Sequence, residues 1–340
     1  MKRLILDTTR FFELMVKPHF ADLNPVGDTP GQPGTFSVMD DVTSKKKIID
    51  LIGGGNILER REASCDITYK PVAGIRPRTI EVDKLYAGTQ TCDEEFYTGC
   101  LEDFQNQSDK FLNFVVEWFG KLVKKDIQSN AFFGNVERGN DTNGIWSWNK
   151  FDGVFKWLAR YVADGTIAAA QTTTIAAGAL SAADCYAVIK WAYENQTDLM
   201  AMLPDGQKAF YVSRKIAWGY REYMRSIGGA YETTLFTGST QSMLSYEDIP
   251  IVVEPTWNPI LAALNGGTQA NAVVLTIRGN FVYATDKTYG VQDADGKYVG
   301  FATWFDFSEQ SWKLLAGMKG GTQIAYPELT TFAITTITNL

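Results

Sequence analysis

Between residues 91 and 125 the chain places Tyr97, Cys100, Leu101, Phe104, Phe111, Leu112, Val115, Phe119 and Leu122 at intervals that line one face of a helix. Thr91-Cys-Asp-Glu94 has the form of a capping box and marks the start. Lys121, Lys124 and Lys125 fall in the expected last turns, where cations suit the helix dipole. A helix from Asp93 to about Lys125 holds roughly 30 residues and spans roughly 45 Å. A compact ball of 340 residues has a radius of gyration of about 20 Å, so this helix would cross almost all of it. A flat, extended molecule built along the helix is expected. Aromatics at this spacing read as core, not as a cofactor box.

The segments before the helix lack cores of their own. Residues 8–17 suit a short amphipathic helix that Pro18 would end. Asn24 to Gly34 holds three prolines and three glycines in eleven residues, which excludes helix and central strand. A second short helix is expected from Thr43 to Ile52, stopped by Gly53-Gly54-Gly55. Residues 1–55 therefore read as an arm that must lie on something else. Residues 56–91 read as a long hairpin. Its strands are Ala63–Lys70 and Thr79–Leu85, with a turn-rich tip at Pro71–Arg78. An isolated two-stranded hairpin is marginal in water, so this one is expected to pack on a neighbour.

The remainder mixes helices and strands. Asn135–Asn149 is polar and glycine-dotted loop, leading into an aromatic-rich stretch from Trp146 to Tyr161. Residues 163–180 are small and Thr/Ala-rich and read as a surface connector. Ser181-Ala-Ala-Asp184 is a second capping box; the helix behind it carries Cys185, Val188, Ile189, Ala192, Leu199 and Leu203 on one face. Pro204-Asp-Gly206 is a turn, Ala209–Val212 a strand, Ser213 an N-cap, and Ile216–Ile227 a helix closed by Gly228-Gly229. Strands are expected at Ile249–Val253, Ala272–Ile277, Phe281–Ala284, Thr303–Phe307 and Leu329–Ile337. Helices alternate with strands only in part, so the class is α+β.

Chemistry is sparse. His19 is the single histidine, which excludes HExxH zinc sites and any two-histidine metal site. Cys65, Cys92, Cys100 and Cys185 form no CxxC pair and read as reduced thiols. There is no GxGxxG, GxxxxGK or GxSxG, and Asp293-Ala-Asp-Gly296 reads as a hairpin turn, not a calcium loop. Asp93-Glu94-Glu95 suits a helix N-terminus, and Lys45-Lys46-Lys47 a solvated face. The three Asn-X-Ser/Thr sequences, at Asn106, Asn140 and Asn195, are common by chance. A net charge of −7 gives no global basic footprint for nucleic acid. No apolar run approaches the roughly 20 residues of a membrane span, and Asp7 interrupts the N-terminus too soon for a signal core. No catalytic, cofactor or metal residue is assigned, and the chain reads as a non-enzyme.

Arm, hairpin, long helix and strand-rich remainder follow in that order. Within the remainder, Tyr186–Leu203 leads to Phe210-Tyr-Val-Ser213. Then come Leu244-Ser-Tyr-Glu-Asp-Ile-Pro-Ile-Val-Val253, Arg278-Gly-Asn-Phe-Val-Tyr-Ala-Thr-Asp286 and Ile324-Ala-Tyr-Pro-Glu-Leu-Thr-Thr-Phe-Ala-Ile334. In these segments and their order the chain resembles the major capsid proteins of tailed double-stranded DNA bacteriophages, the Hong Kong 97-type fold. The resemblance implies an N-terminal arm (1–55), an extended hairpin loop (56–91), and a peripheral domain with a spine helix (92–170). An axial domain (171–325) with a mixed sheet follows, then a strand (326–340) returning to the peripheral domain. It implies self-assembly as hexamers and pentamers into an icosahedral virion shell around double-stranded DNA, contacted non-specifically, with no membrane and no cofactor. It implies a portal, optional cement proteins and synthesis in a bacterial host's cytoplasm. No acidic helical prosegment precedes the arm, so a separate scaffolding protein is expected. Two other readings stand beside it. Nine tryptophans and fifteen tyrosines suit a carbohydrate-active enzyme as well as an interface, and a tail tube or sheath protein would lack the 30-residue spine helix.

Overall fold

The computed structural model describes residues 4–6, 35–53, 73–92, 109–139, 148–227, 244–292, 298–306, 308–309 and 311–336. The expected elements at 8–17, 24–34 and 63–70, and the glycines at 228–229, lie outside them. The N-terminal part is more deeply seated than a coreless arm. Strand β1 (Leu4–Leu6) pairs antiparallel with residues 301–303, and β2 (Phe36–Met39) runs parallel to residues 281–284. Phe36 is buried, with its ring 5.1 Å from that of Phe132 and 5.9 Å from that of Phe281. Thr35 and Val42 are buried too, so the arm's root is core.

The hairpin begins earlier than its sequence pattern suggested. Instead of a helix at 43–52, β3 (Lys45–Gly53) pairs antiparallel with β4 (Ala73–Glu81), from Lys45 opposite Glu81 to Gly53 opposite Ala73. Ile48, Ile49 and Ile52 are β-branched and favour the pleat once a partner strand is present. Most of the expected tip, Ala73–Arg78, is therefore strand, with Pro77 opposite Ile49. The expected strand Thr79–Leu85 is broken at Val82, after which β5 (Asp83–Cys92) joins a different partner. Thr91 and Cys92 complete β5 opposite Trp312 and Ser311, so the Thr91 pattern is not the cap of a helix.

Helix α1 (Asp109–Phe133) is 25 residues long, about 37 Å. It runs past Lys125, leaving Lys121, Lys124 and Lys125 inside the helix and no basic residue in its last turn. The reason is that the apolar phase of Phe119, Val123 and Ile127 continues to Ala131, Phe132 and Phe133, all buried. Behind it, Gly134 and Gly153 let two backbones meet: Gly153 N–H donates to the Gly134 carbonyl at 2.8 Å, and a Cβ on Gly134 would overlap the Phe151 carbonyl. Helix α2 (Val154–Ala163) buries Val154, Phe155 and Leu158 against this end of α1.

The stretch 163–180 is not a mere connector. Ile167 and Gln171 are buried and Thr172–Ile175 forms β6, parallel to residues 332–335. Gln171 Nε2 donates to the carbonyls of Glu328 and Thr330. The Ser181 capping box forms as expected and opens α3 (Ala182–Glu194): the Asp184 N–H donates to Ser181 Oγ at 3.1 Å, the Ser181 N–H to Asp184 Oδ2 at 3.2 Å. That helix stops before Leu199. Thr197 caps a new turn, α4 (Asp198–Ala201), which buries Met200 and leaves Leu199 exposed.

There follow β7 (Lys208–Ser213), α5 (Arg214–Ser226), β8 (Ser245–Tyr246), β9 (Ile249–Glu254), α6 (Trp257–Leu264) and β10 (Ala272–Ile277). Ser213 precedes α5 without capping it; its hydroxyl turns instead to Asn271 Oδ1 at 3.3 Å. Then β11 (Phe281–Ala284), a β12 (Val291–Gln292)–β13 (Tyr298–Val299) hairpin, β14 (Phe301–Asp306), β15 (Ser311–Ile324) and β16 (Thr330–Thr335) complete the chain. One six-stranded sheet has the order β6-β16-β10-β7-β9-β8; the other contains β1-β14-β15-β11-β2, with β5 also on β15.

In the first sheet, alternate residues face two cores. Phe210, Val212, Val273 and Leu275 pack with Ile189, Ile216 and Tyr220 of α3 and α5. Ala209, Tyr211, Ala272 and Val274 turn the other way, toward α1, α2 and α6. Trp257 sits at the centre of that second core, fully buried, its ring 5.2 Å from Phe132 and 5.0 Å from Phe155. The C-terminal strand does not return to the sheet beside the hairpin, as the resemblance implied: β16 pairs with β10 and β6. The strand that does run back is β15, whose Trp312, Leu314, Ala316 and Met318 alternate along β5 and β14. A Cβ on Gly321 would overlap the Glu81 carbonyl, so β15 can pass the corner between β4 and β5 only without a side chain there.

Candidate assembly surfaces

No described constellation invites catalysis. Among the described residues no group of three or more His, Cys, Asp or Glu could hold a metal ion, and no helix is long and apolar enough to cross a membrane. Cys185 is buried, and burial together with Asp184 pushes its thiol up to about 11, the opposite of an activated nucleophile. His19, Cys65 and Cys100 lie outside the described residues.

The chemistry on offer is that of surfaces and of the ties that hold them. At the root of the hairpin, Arg78 donates to the Ala325 carbonyl and to Glu328 Oε1 at 2.7 Å, and Gln323 Nε2 donates to the Thr79 carbonyl at 3.1 Å. Lys319 bridges Asp286 Oδ2, at 2.8 Å, and the Thr43 carbonyl. Burial would raise the Asp286 carboxyl, but hydrogen bonds from Lys319 and Thr288 outweigh it and hold the group below its ordinary value. Ile80 on β4 is fully buried. On the partner strand the pattern reverses: Lys45, Lys46 and Lys47, opposite Glu81, Ile80 and Thr79, are exposed, and Ile49 is 62% exposed. The only described ion pair on β3 joins two exposed groups, Lys45 and Glu81, at 2.6 Å, worth well under about 1 kcal/mol.

A second surface lies where β5 passes α1. A groove of about 490 Å³ there is lined by Leu85, Phe119, Leu122, Val123 and Met318. At its lip Tyr86 is 80% exposed, with Trp118 and Leu122 exposed on the helix. A third tie secures the arm. Thr35 Oγ1 donates to Glu254 Oε1 at 3.4 Å, where Glu254 is 2% exposed. Burial pushes that carboxyl up to about 8, so it is largely protonated at neutral pH. Sequence reasoning missed this group because an isolated acid after a valine-rich strand carries no signal of its burial.

The comparisons bear on the arrangement of these elements. No family model matches the sequence, and no curated protein matches it. Solved structures do align over nearly the whole chain. A chain of the satellite phage P4 procapsid including the size determination (Sid) protein aligns with a TM-score of 0.55 and 9% identity, over 88% of this chain and 92% of that one. A structure from Mycobacterium phage Ogopogo aligns at 0.53 and 11%, over 92% and 94%. The cyanophage Pam1 capsid asymmetric unit aligns at 0.53 and 13%, over 95% and 93%. The chain has the Hong Kong 97-type phage capsid fold. At identities of 9%, 11% and 13% the likeness is one of fold. In this α+β form of it, sequence reasoning located the hairpin as a surface and the long helix as core. It missed β15, the strand on which the Hong Kong 97-type sheet beside the hairpin is assembled. The alternation Trp312, Leu314, Ala316, Met318 was the signal for it.

Proposed function

We propose that this chain is a non-enzymatic shell protein, the major capsid protein of a tailed double-stranded DNA phage. It would assemble as hexamers and pentamers into an icosahedral shell around the packaged genome. The observation that carries the reading is the β3–β4 hairpin: it is anchored at Arg78 and Ile80, yet presents Ile49 and a lysine run that none of the described residues covers. A nine-residue strand with that exposure gains its stabilisation from a neighbour. In the proposed division the arm ends before Lys45, since β3 belongs to the hairpin loop. The peripheral part is built on α1 and the sheet containing β15. The axial part is built on the β6-β16-β10-β7-β9-β8 sheet, which also takes the C-terminal strand.

Further proposed partners are a separate scaffolding protein, a portal, cement proteins and DNA met without sequence reading, in a virion made in a bacterial host. A chain of net charge −7 would release DNA more readily than a basic one. The test is sedimentation and negative-stain microscopy of the purified chain, alone and with its neighbouring gene products. Rings of five or six subunits or closed shells are expected. A monomer near 37.8 kDa under every condition would overturn the proposal.

A further inference from the structure

Two exposed patches flank the α3–α5 side of the central sheet, and their chemistry is complementary. The first is the outward face of α5. Ile216, Ala217 and Tyr220 face inward and are buried, while Arg214, Lys215, Trp218 and Arg221 face out. Trp218 is 55% exposed, and the Arg214 guanidinium lies over its ring at 5.4 Å. Ile227, at the end of the helix, is exposed as well. This is a mainly basic rim, with one exposed acid at Glu222, around exposed apolar groups, on a chain whose net charge is −7.

The second patch is built from α4 and the β8–β9 turn. Leu199 and Met202 are 66% and 81% exposed, and Asp198 beside them is exposed. The turn joining β8 to β9 consists of Glu247 and Asp248, both exposed and both at positive φ, 46° and 62°. That turn suits Asn-Gly far better than Glu-Asp. Glu194, which also pairs with Lys190 at 3.6 Å, and Asp205, which pairs with Lys208 at 2.9 Å, complete the rim. Burial first, and then Asp205 and Glu247 together, raise the Tyr193 hydroxyl, and Glu247 and Glu194 both act on Tyr246. Three acids, Glu194, Asp205 and Glu247, therefore lie around Tyr193 and Tyr246, whose rings are 5.5 Å apart. The patch is an acidic rim around exposed apolar groups.

We propose that the outward face of α5 docks on the α4 and β8–β9 edge of a second copy of this chain. Trp218 would cover Leu199 and Met202, and Arg214, Lys215 and Arg221 would face Glu194, Asp198 and Glu247. The proposal rests on the shell reading above and names one of its contacts. Trp and Arg are the residues that dominate protein interfaces, and a tryptophan in the middle of a cationic face gains more from apolar partners than from phosphates. The two patches differ, so the contact is heterologous and propagates from copy to copy; with a suitable rotation it closes a ring. Opposed rims set the register and speed encounter, and salt screens them.

The test is a pair of charge reversals and their combination. R214E/R221E and E194K/E247K each put like charges across the contact, and each is expected to lower the assembled fraction roughly tenfold or more in sedimentation velocity at low salt. Mixing the two variants, which restores one opposite-charge contact per pair, is expected to recover association. W218A is expected to weaken assembly at high salt as well as low. Urea melts of the variants, unchanged from wild type, show that the subunit still folds. Wild type that assembles alongside reversals that assemble equally well overturns this contact and leaves the shell reading standing. Wild type that never associates overturns both. Loss of binding to a short DNA duplex by R214E/R221E, with assembly unchanged, would assign the α5 face to nucleic acid and overturn the contact.

Discussion

Strands β7 and β3 are both short and both contain aliphatic residues, yet they live in opposite surroundings. Every residue of β7 is buried, with Phe210 and Val212 in one core and Ala209 and Tyr211 in the other. On β3, Lys45 to Lys47 and Ile49 are exposed, and the strand has one partner, β4. β7 is stabilised by its own subunit on four sides; β3 is held from one side and at its root. Burial within the chain stabilises the body, whereas the exposed face of β3 gains little from the described residues of its own subunit. Substitutions in the two regions should separate folding from assembly.

Trp257→Ala should produce the largest loss. It empties the centre of the core shared by α1, α2 and α6 and should lower subunit stability by about 3–5 kcal/mol in a urea melt. A small loss would mean that this region is less rigid than β7's surroundings imply. Next comes Glu254. Its folded pKa of about 8 lies above the ordinary 4.5, so the stability it contributes is complete below that ordinary value. This stability is lost as pH rises toward the folded value. Melts of wild type between pH 5 and 8.5 should show that loss, a few kcal/mol in size, and Glu254→Gln should flatten it. Gly321→Ala should cost about 1–3 kcal/mol, because the new methyl group meets the Glu81 backbone. Its limited proteolysis should begin in the hairpin and not in the β7 sheet. Smallest of all, Ile49→Ser should change the subunit melt by less than about 0.5 kcal/mol while reducing assembly measured by light scattering. A large melt effect, or none on assembly, would break the contrast between the two strands.

Local signals were legible where they were self-contained. The Ser181 capping box, the buried strand at Phe210 and the valine run before Glu254 depend on neighbours in sequence, and they form where expected. Three readings failed for one physical reason. Thr43–Ile52 became strand because β4 lies opposite; Thr91–Cys92 because β15 does; Thr172–Ile175 because β16 does. Each has modest intrinsic preference, and a distant partner decided it. Surfaces were harder still: the basic face of α5 is visible in sequence only after Tyr220 is known to point inward, and the acidic edge joins residues from 194 to 248.

Strands β1, β2 and β5 find partners made late. β1 pairs with β14, β2 with β11, β5 with β15, and Lys319 reaches the Thr43 carbonyl across 276 residues of chain. A ribosome adding about 5–20 residues per second leaves those strands without their partners for tens of seconds. Throughout that interval their edges are open to any other strand, including one from a chain on the same messenger. Synthesis order therefore makes β1, β2 and β5 the last strands to settle. They are also the strands most exposed to exchange between copies while those are being made.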